Sequence, residues 1–279
     1  MINKAERAKE FAFTRSDFTA ICSRLKAMAG IHLSDSKDSM VYSRLSRRIR
    51  ALELKSFKQY LHYLDNHTEE KEAFVNALTT NLTSFFREEH HFDILKQYVR
   101  ENPQPLTVWC TACSSGEEAY SIAMACAEAR GDMNNNITLL ASDIDSGVLE
   151  TAQRGIYARK AIENLSLSRK RQFFLKGKGA RSGLVRVSPQ LQQSITFFQQ
   201  NLLATSWQVN APLDAIFCRN VMIYFDRTTQ AQLVEKFCHV LKPGGLYFAG
   251  HSENFSHLNH WLKPRGKTVY ETIRRSTNA

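Results

Sequence analysis

The 279-residue chain has no apolar run near the ~20 residues that a membrane-spanning helix needs, so membrane insertion is not expected. Its opening residues, MINKAERAKE, are charged and lack the apolar core of a secretory signal, which points to a cytoplasmic protein. Glycine (12) and proline (6) are sparse, and neither internal repeats nor low-complexity segments occur. Cysteine is scarce too. Cys110 and Cys113 form a CxxC, but no second pair completes a zinc site, and the six thiols read as small core residues of a reducing compartment. His251, His257 and His260 fall close together without a ligand spacing, so no metal is expected. Acid is missing altogether between Glu163 and Asp214.

What is present is the composition of a globular protein, 43% hydrophobic and 23% charged, long enough for one large domain or two modest ones. The net charge of +10 favours an acidic partner, which could be nucleic acid, an anionic membrane surface or an acidic protein. That charge is concentrated in two places. Residues 36–58 hold seven basic residues against Asp38 and Glu53, and seven more run from Arg169 to Arg186 inside the acid-free stretch.

Apolar spacing predicts helices over the first ~80 residues. Phe18, Ile21, Leu25 and Met28 form one stripe, with Ser16 as N-cap and Gly30 as stop; Val41, Leu45, Ile49 and Leu52 form another. Arg44, Arg47, Arg48 and Arg50 fall on the remaining sides of that second helix, as a solvated face or a contact for an acidic partner. Further patterns cover Phe57 to Leu64 and Ala73 to Leu78. After Pro105 the rhythm becomes strand, turn, helix. LTVWC, ITLLASD, SITFFQQNL, PLDAIFC, GLYFAG and KTVYETI read as strands, and EEAYSIAMACAEAR as an amphipathic helix. Such alternation predicts an α/β fold with a mostly parallel, Rossmann-like sheet. Residues 171–193 break the rhythm as an inserted antiparallel hairpin. The expected division is a helical domain over 1–82 and a catalytic domain over 83–279.

In such a sheet, ligands bind at the carboxyl ends of the strands. There the first strand meets Cys113-Ser114-Ser115-Gly116, then Glu117 and Glu118 opening a helix; the second ends in Asp143, able to accept both hydroxyls of a ribose. A dinucleotide enzyme would want Gly-x-Gly-x-x-Gly, and Gly116 stands alone, followed by acids that would repel a diphosphate. Glu118 suits a ligand bearing an ammonium group, such as S-adenosylmethionine. LKPGGLYF adds to that reading, since methyltransferase sheets close with a reversed last strand.

NALTTNLTSFFREEHHF, WCTACSSGEEAYSIAM, ASDID, FCRNVMIYF and LKPGGLYFAGHSENF together resemble the chemoreceptor glutamate methyltransferases of bacterial chemotaxis, the CheR-type family, over about residues 13 to 270. Ser115 and Ala119 depart from the family's usual Thr and Pro. The resemblance implies that S-adenosylmethionine is the methyl donor, S-adenosylhomocysteine the product, and the cytoplasmic domain of membrane chemoreceptors the substrate. It implies that Asn81, Thr83 and Arg87 form part of the cofactor pocket from the linker, and that Glu118 and Asp143 hold the methionine and ribose parts. Asn201 and Leu202 would flank the adenine, Arg219 and Asn220 would close the site, and Arg87 with Tyr224 would stand by the transferable methyl as catalytic residues. In some members the inserted β-subdomain grips the receptor's C-terminal peptide. Two other readings fit part of the same features. A nucleic-acid methyltransferase would explain the charge, but it usually carries a Pro-Pro-aromatic turn where this chain has Asn220 to Tyr224. A non-catalytic receptor-binding module would not need Arg87, Glu118, Asp143 and Tyr224.

Overall fold

A computed structural model describes residues 10–133, 136–210 and 212–273. The chain forms two compact units, one ending at Thr80 and the other beginning at Asn81.

The first unit contains α1 (Arg15–Ala29), α2 (Asp38–Ala51), α3 (Phe57–Asn66) and α4 (Thr68–Leu78). The apolar stripes read from the sequence face inward: Phe18, Ile21, Leu25, Val41, Leu45, Ile49, Phe57 and Leu64 are all buried. Helix α1 begins two residues earlier than the Ser16 cap predicts. Thr14 accepts from the Asp17 N–H while the Asp17 carboxylate accepts from Thr14 N. That reciprocal pair satisfies two end groups at once, which Ser16 cannot match. Gly30 ends the helix in the left-handed conformation, as expected.

The arginines of α2 do not form one outward basic face. Arg44 donates to the carbonyls of Ala77 and Thr79 at the end of α4. Arg48 forks onto Glu70, at 3.0 and 2.5 Å, and Arg50 pairs with Glu10 at the surface. Arg47 is exposed. Glu70 itself is 3% exposed and also accepts from the Tyr60 hydroxyl at 2.8 Å, so one carboxylate ties α2, α3 and α4 together.

The second unit opens with α5 (His90–Glu101) and then builds a seven-stranded sheet. Its strands are β1 (Leu106–Cys110), β2 (Ile137–Asp143), β6 (Ile195–Gln199), β7 (Leu213–Cys218), β8 (Leu241–Ala249), β9 (Leu262–Gly266) and β10 (Val269–Thr272), in the order β6-β2-β1-β7-β8-β10-β9. β6, β2, β1, β7 and β8 are parallel; β10 runs antiparallel to β8 and β9, the expected reversal. Helix α6 (Glu117–Arg130) is not amphipathic in the usual sense. Every residue from Glu118 to Ala127 is buried, because α5 and α9 (Pro189–Gln193) pack on it together with the sheet. Helices α7 (Ser146–Arg154) and α10 (Arg227–Val240) complete the layers.

The expected hairpin is a three-stranded antiparallel sheet, and it reaches outside residues 171–193. β3 (Ile156–Ala158) supplies one edge, β4 (Phe174–Lys176) the other, and β5 (Leu184–Val187) the centre, with α8 (Leu167–Phe173) leading into β4. Three residues carry too little alternation for β3 to show in the sequence.

Replacing Glu70 by Ala strands Arg48 and a buried tyrosine hydroxyl together. A loss of about 2–3 kcal/mol is expected in urea unfolding followed by far-ultraviolet circular dichroism, and Glu70→Gln, which keeps one acceptor, should lose less.

Candidate active site

The chain runs from β1 outward through β2 to β6, then returns to β7 on the other side of β1. The carboxyl ends of these parallel strands therefore share one edge, with the switch of direction between β1 and β7, where α/β sheets place their ligands. Segment 81–89, the loop after β1, the loop after β2, and the loops after β6 and β7 carry the sequence-predicted residues.

Arg219, the first residue after β7, links several of these segments. Its side chain has no solvent exposure, and Nη1 lies 2.6 Å from Glu118 Oε2. Nη2 donates to the Arg87 carbonyl and stands 3.2 Å from Glu88 Oε2. Glu118 accepts a further bond from the Cys110 thiol at 3.4 Å. Burial pushes the Glu118 carboxyl above the usual range, and Arg219 opposes that rise. For Glu88, burial works in the same direction, yet Arg219 and the His251 N–H outweigh it and hold its carboxyl low. His91 is fully buried, with its Nε2 2.8 Å from the Lys267 carbonyl; burial and Arg219 lower its pKa to about 4, so the ring is neutral.

Asp143 ends β2 as predicted and is 7% exposed. One carboxylate oxygen accepts from Ser114 N at 2.8 Å and the other from Asp145 N at 3.0 Å. Burial raises its pKa to about 6 in spite of these donors. Asp145 caps α7 through Gly147 N and Val148 N, and its second oxygen accepts from Asn81 Nδ2 at 2.8 Å. The Asn81 carbonyl in turn accepts from Ser114 Oγ at 3.0 Å. Asn81 is thus tied to the loops after both β1 and β2, with half-buried Thr83 two residues on. The Arg87 guanidinium turns back to the Leu82 carbonyl at 3.0 Å. After β6, Asn201 Oδ1 accepts from Leu203 N, and buried Leu202 gives its carbonyl to the Trp207 indole. Tyr224 is half-buried on the single 3-10 turn Met222–Tyr224, and Asn220 Nδ2 reaches Glu88 at 3.4 Å.

Four non-glycine residues of this edge sit at positive φ: Phe86 (54°), Glu88 (57°), Ser114 (50°) and Asn220 (59°). Such conformations cost free energy and persist where surrounding bonds over-determine them, most often at functional sites. Gly116 has φ 99°, and a Cβ there would lie 2.8 Å from the Ala152 Cβ. Packing against α7 requires a small residue there, and the positive φ independently favours glycine.

Sequence reasoning missed Glu88, Asp145 and Ser114. The DxD of ASDID and the double Glu of REEHH were visible, but nothing local shows which acid turns inward. Cys110 and Cys113 are fully buried, with thiols pushed well above their ordinary range by burial, so the CxxC supplies weak donors. Glu88, His90 and His91 do bring potential ligand atoms within 4.8 Å of one another. Arg219 beside Glu88 makes the place unfavourable for a cation.

On the small sheet, Tyr157, Phe174, Val185 and Val187 are buried, while Ile156, Leu175, Leu184 and Arg186 face outward. The register sets Ile156, Arg186 and Leu175 in one row across it. Arg171, Lys176, Lys178 and Arg181 are exposed around it. Arg169 is not part of that basic surface: it pairs with Glu128 at 2.6 Å and lies 3.7 Å over the Phe86 ring.

The donor set fits S-adenosylmethionine. A carboxylate has more acceptor sites than the backbone groups reaching Asp143, as a ribose diol needs. Comparison with known proteins agrees. Residues 81–271 match the CheR methyltransferase SAM binding domain, and residues 16–79 match its all-alpha domain. The chain is 49% identical over 265 residues to chemotaxis protein methyltransferase 2 of Pseudomonas aeruginosa, covering 94% of this chain and 95% of that one. It is 47% identical over 267 residues to the chemotaxis protein methyltransferase of Escherichia coli, covering 95% and 93%. This chain belongs to the CheR methyltransferase family.

Proposed function

We propose that the protein methylates glutamate side chains in the cytoplasmic domains of membrane chemoreceptors, forming glutamyl methyl esters, and that it works in the cytoplasm. The observation that supports this reading is the set of loops at the carboxyl ends of β1, β2 and β7 that Asn81, Ser114, Asp143, Glu118 and Arg219 tie together, in a chain nearly half identical to chemotaxis methyltransferases. S-adenosylmethionine supplies an electrophilic sulfonium methyl when bound. The substrate glutamate, with a reference pKa of ~4.3, is already ionised at neutral pH, so the protein needs no general base. Its task is alignment at near-attack separation, roughly 3–3.5 Å. Asp143 accepts the ribose hydroxyls, with Asn201 and Leu202 flanking the adenine. Asn81 and Thr83 line the pocket from the segment that Asp145 and Ser114 hold in place.

Glu118, already paired with Arg219, would face the methionine ammonium, and Arg219 and Asn220 would close the site. Arg87 stays protonated and orients the reacting groups, and the Tyr224 hydroxyl donates one bond beside the methyl. Among the described residues no helix is long and apolar enough to cross a membrane. A nucleic-acid substrate draws less support, because three of the four α2 arginines are committed to bonds within the first unit.

The small sheet fits a docking role for an acidic, aromatic-ended receptor tail. An added strand along the β4 edge would gain main-chain bonds, and the Ile156–Arg186–Leu175 row offers a cation between apolar contacts.

Labelled S-adenosylmethionine offered with receptor membranes or with RNA decides the substrate class; incorporation into base-labile methyl esters on the receptor is expected. Because Asp143 must be ionised to accept a diol, S-adenosylhomocysteine should bind about tenfold more weakly at about pH 5 than at about pH 7. Asp143→Asn should bind weakly with a flat pH dependence, as calorimetry will show. Arg87→Ala and Tyr224→Phe should lower kcat more than they weaken S-adenosylhomocysteine binding; wild-type kcat in either variant removes that residue's role. Fluorescence titration of an acidic tail peptide should saturate, and Arg181→Glu with Arg186→Glu should weaken it at least about tenfold at low salt.

A further inference from the structure

The loop that carries Asn220 and Tyr224 has an anchor that none of the roles above includes. Glu253, in the turn after β8, is 4% exposed, and its carboxylate accepts backbone N–H groups from both ends of that loop. Oε2 takes Asn220 N at 3.0 Å and also Gly250 N; Oε1 takes Ile223 N at 3.3 Å. A buried carboxylate is tolerated only when donors surround it, and here they come from the main chain of one short turn and its neighbour. Convergent N–H groups of this kind form an anion nest, so loop conformation and carboxylate position specify each other. From the opposite side, Gln230 on α10 donates to the carbonyls of Met222 and Phe225 at 2.8 and 3.1 Å. The turn is therefore gripped by its N–H groups on one side and its carbonyls on the other, with Tyr224 between.

Gly250 gives an independent sign that this contact is kept tight. Its φ lies outside the left-handed range, so its backbone does not require glycine. A Cβ there, however, would lie 2.4 Å from Asn220 Nδ2, 2.8 Å from Asn220 N and 2.9 Å from Glu253 Oε2. The position is small because Asn220 and the Glu253 carboxylate close over it.

We propose that Glu253 is a positioning residue for methyl transfer: by holding the 220–223 turn through its N–H groups, it sets where the Tyr224 hydroxyl stands. This rests on the reading of Tyr224 given above. Glu253→Gln keeps the volume but offers one acceptor oxygen, and its amide hydrogens confront the N–H groups the carboxylate received. The expected result is a kcat about tenfold or more below wild type on receptor membranes. Affinity for S-adenosylhomocysteine should fall clearly less than kcat, since Asn220 only closes the site while Asp143 and Asn201 lie on other loops. A double-mutant cycle separates positioning from general damage. If Glu253 acts through Tyr224, then Glu253→Gln should cost little further activity in the Tyr224→Phe background. Gly250→Ala wedges a methyl into the same contact and should reproduce the kcat loss; it decides the matter where the Gln variant does not fold. Additive losses in the cycle, or equal losses of kcat and S-adenosylhomocysteine affinity in both variants, overturn the proposal while Tyr224 keeps its role. Wild-type kcat in Tyr224→Phe alone removes the reading of Tyr224, and the proposal with it.

Discussion

A guanidinium with no solvent contact needs charge compensation, and Arg219 obtains it from two other segments. Glu118 comes from the start of α6, Glu88 and the Arg87 carbonyl from the strained stretch before α5, and Arg219 itself from the end of β7. Removing one partner from such a cluster leaves a buried charge uncompensated, which typically costs about 3–5 kcal/mol. The segments are therefore locked jointly rather than in pairs. This also accounts for the placement of strain, because Phe86, Glu88 and Asn220, all at positive φ, sit immediately beside the atoms Arg219 holds. The tie lies where the sheet reverses direction, so the part of the fold that must open for a ligand is also the part most tightly specified around it.

The other half of the site is stabilised differently. Asp143 and Asp145 are anchored by backbone N–H groups and the Asn81 amide. Neutral donors fix the geometry of a carboxylate without cancelling its charge, and the pKa values follow: Asp143 rises to about 6, whereas the Arg219 neighbourhood draws Glu88 down. An arriving pair of hydroxyls meets an acceptor still in need of donors. An arriving ammonium near Glu118 meets a carboxylate that already shares Arg219 with Glu88.

Much of the architecture was legible because its signals are local. LTVWC, ITLLASD and PLDAIFC are apolar runs bounded by turn residues, and they fold as β1, β2 and β7. What was illegible depended on partners distant in sequence. Whether the α2 arginines stay solvated or become bonded is decided by Ala77, Thr79, Glu70 and Glu10, 22 to 40 positions away. Helix α5 was hidden because one of its inward residues is His91, which reads as polar yet is fully buried. At the site, Asp143 could be found from its place at a strand end. Tyr224 needed the family resemblance, and Glu253 had no signal at all, since its partners are main-chain groups whose positions exist only once the loop is folded.

The small sheet and the active-site edge are joined more closely than an insertion would suggest. The Tyr157 hydroxyl on β3 donates to the Ser115 carbonyl at 2.7 Å, in the loop after β1. Phe85 packs edge-on to both Tyr157 and Phe174, and Arg169 stacks on Phe86 while pairing with Glu128 of α6. The inner face of the sheet is therefore part of the catalytic unit's core. The outward row of Ile156, Arg186 and Leu175 does not reach that core face. If the proposed receptor tail binds there, its contacts are separate from that core, so its effect would come from raising the enzyme's concentration near neighbouring receptors, about the mM range for a short flexible linker.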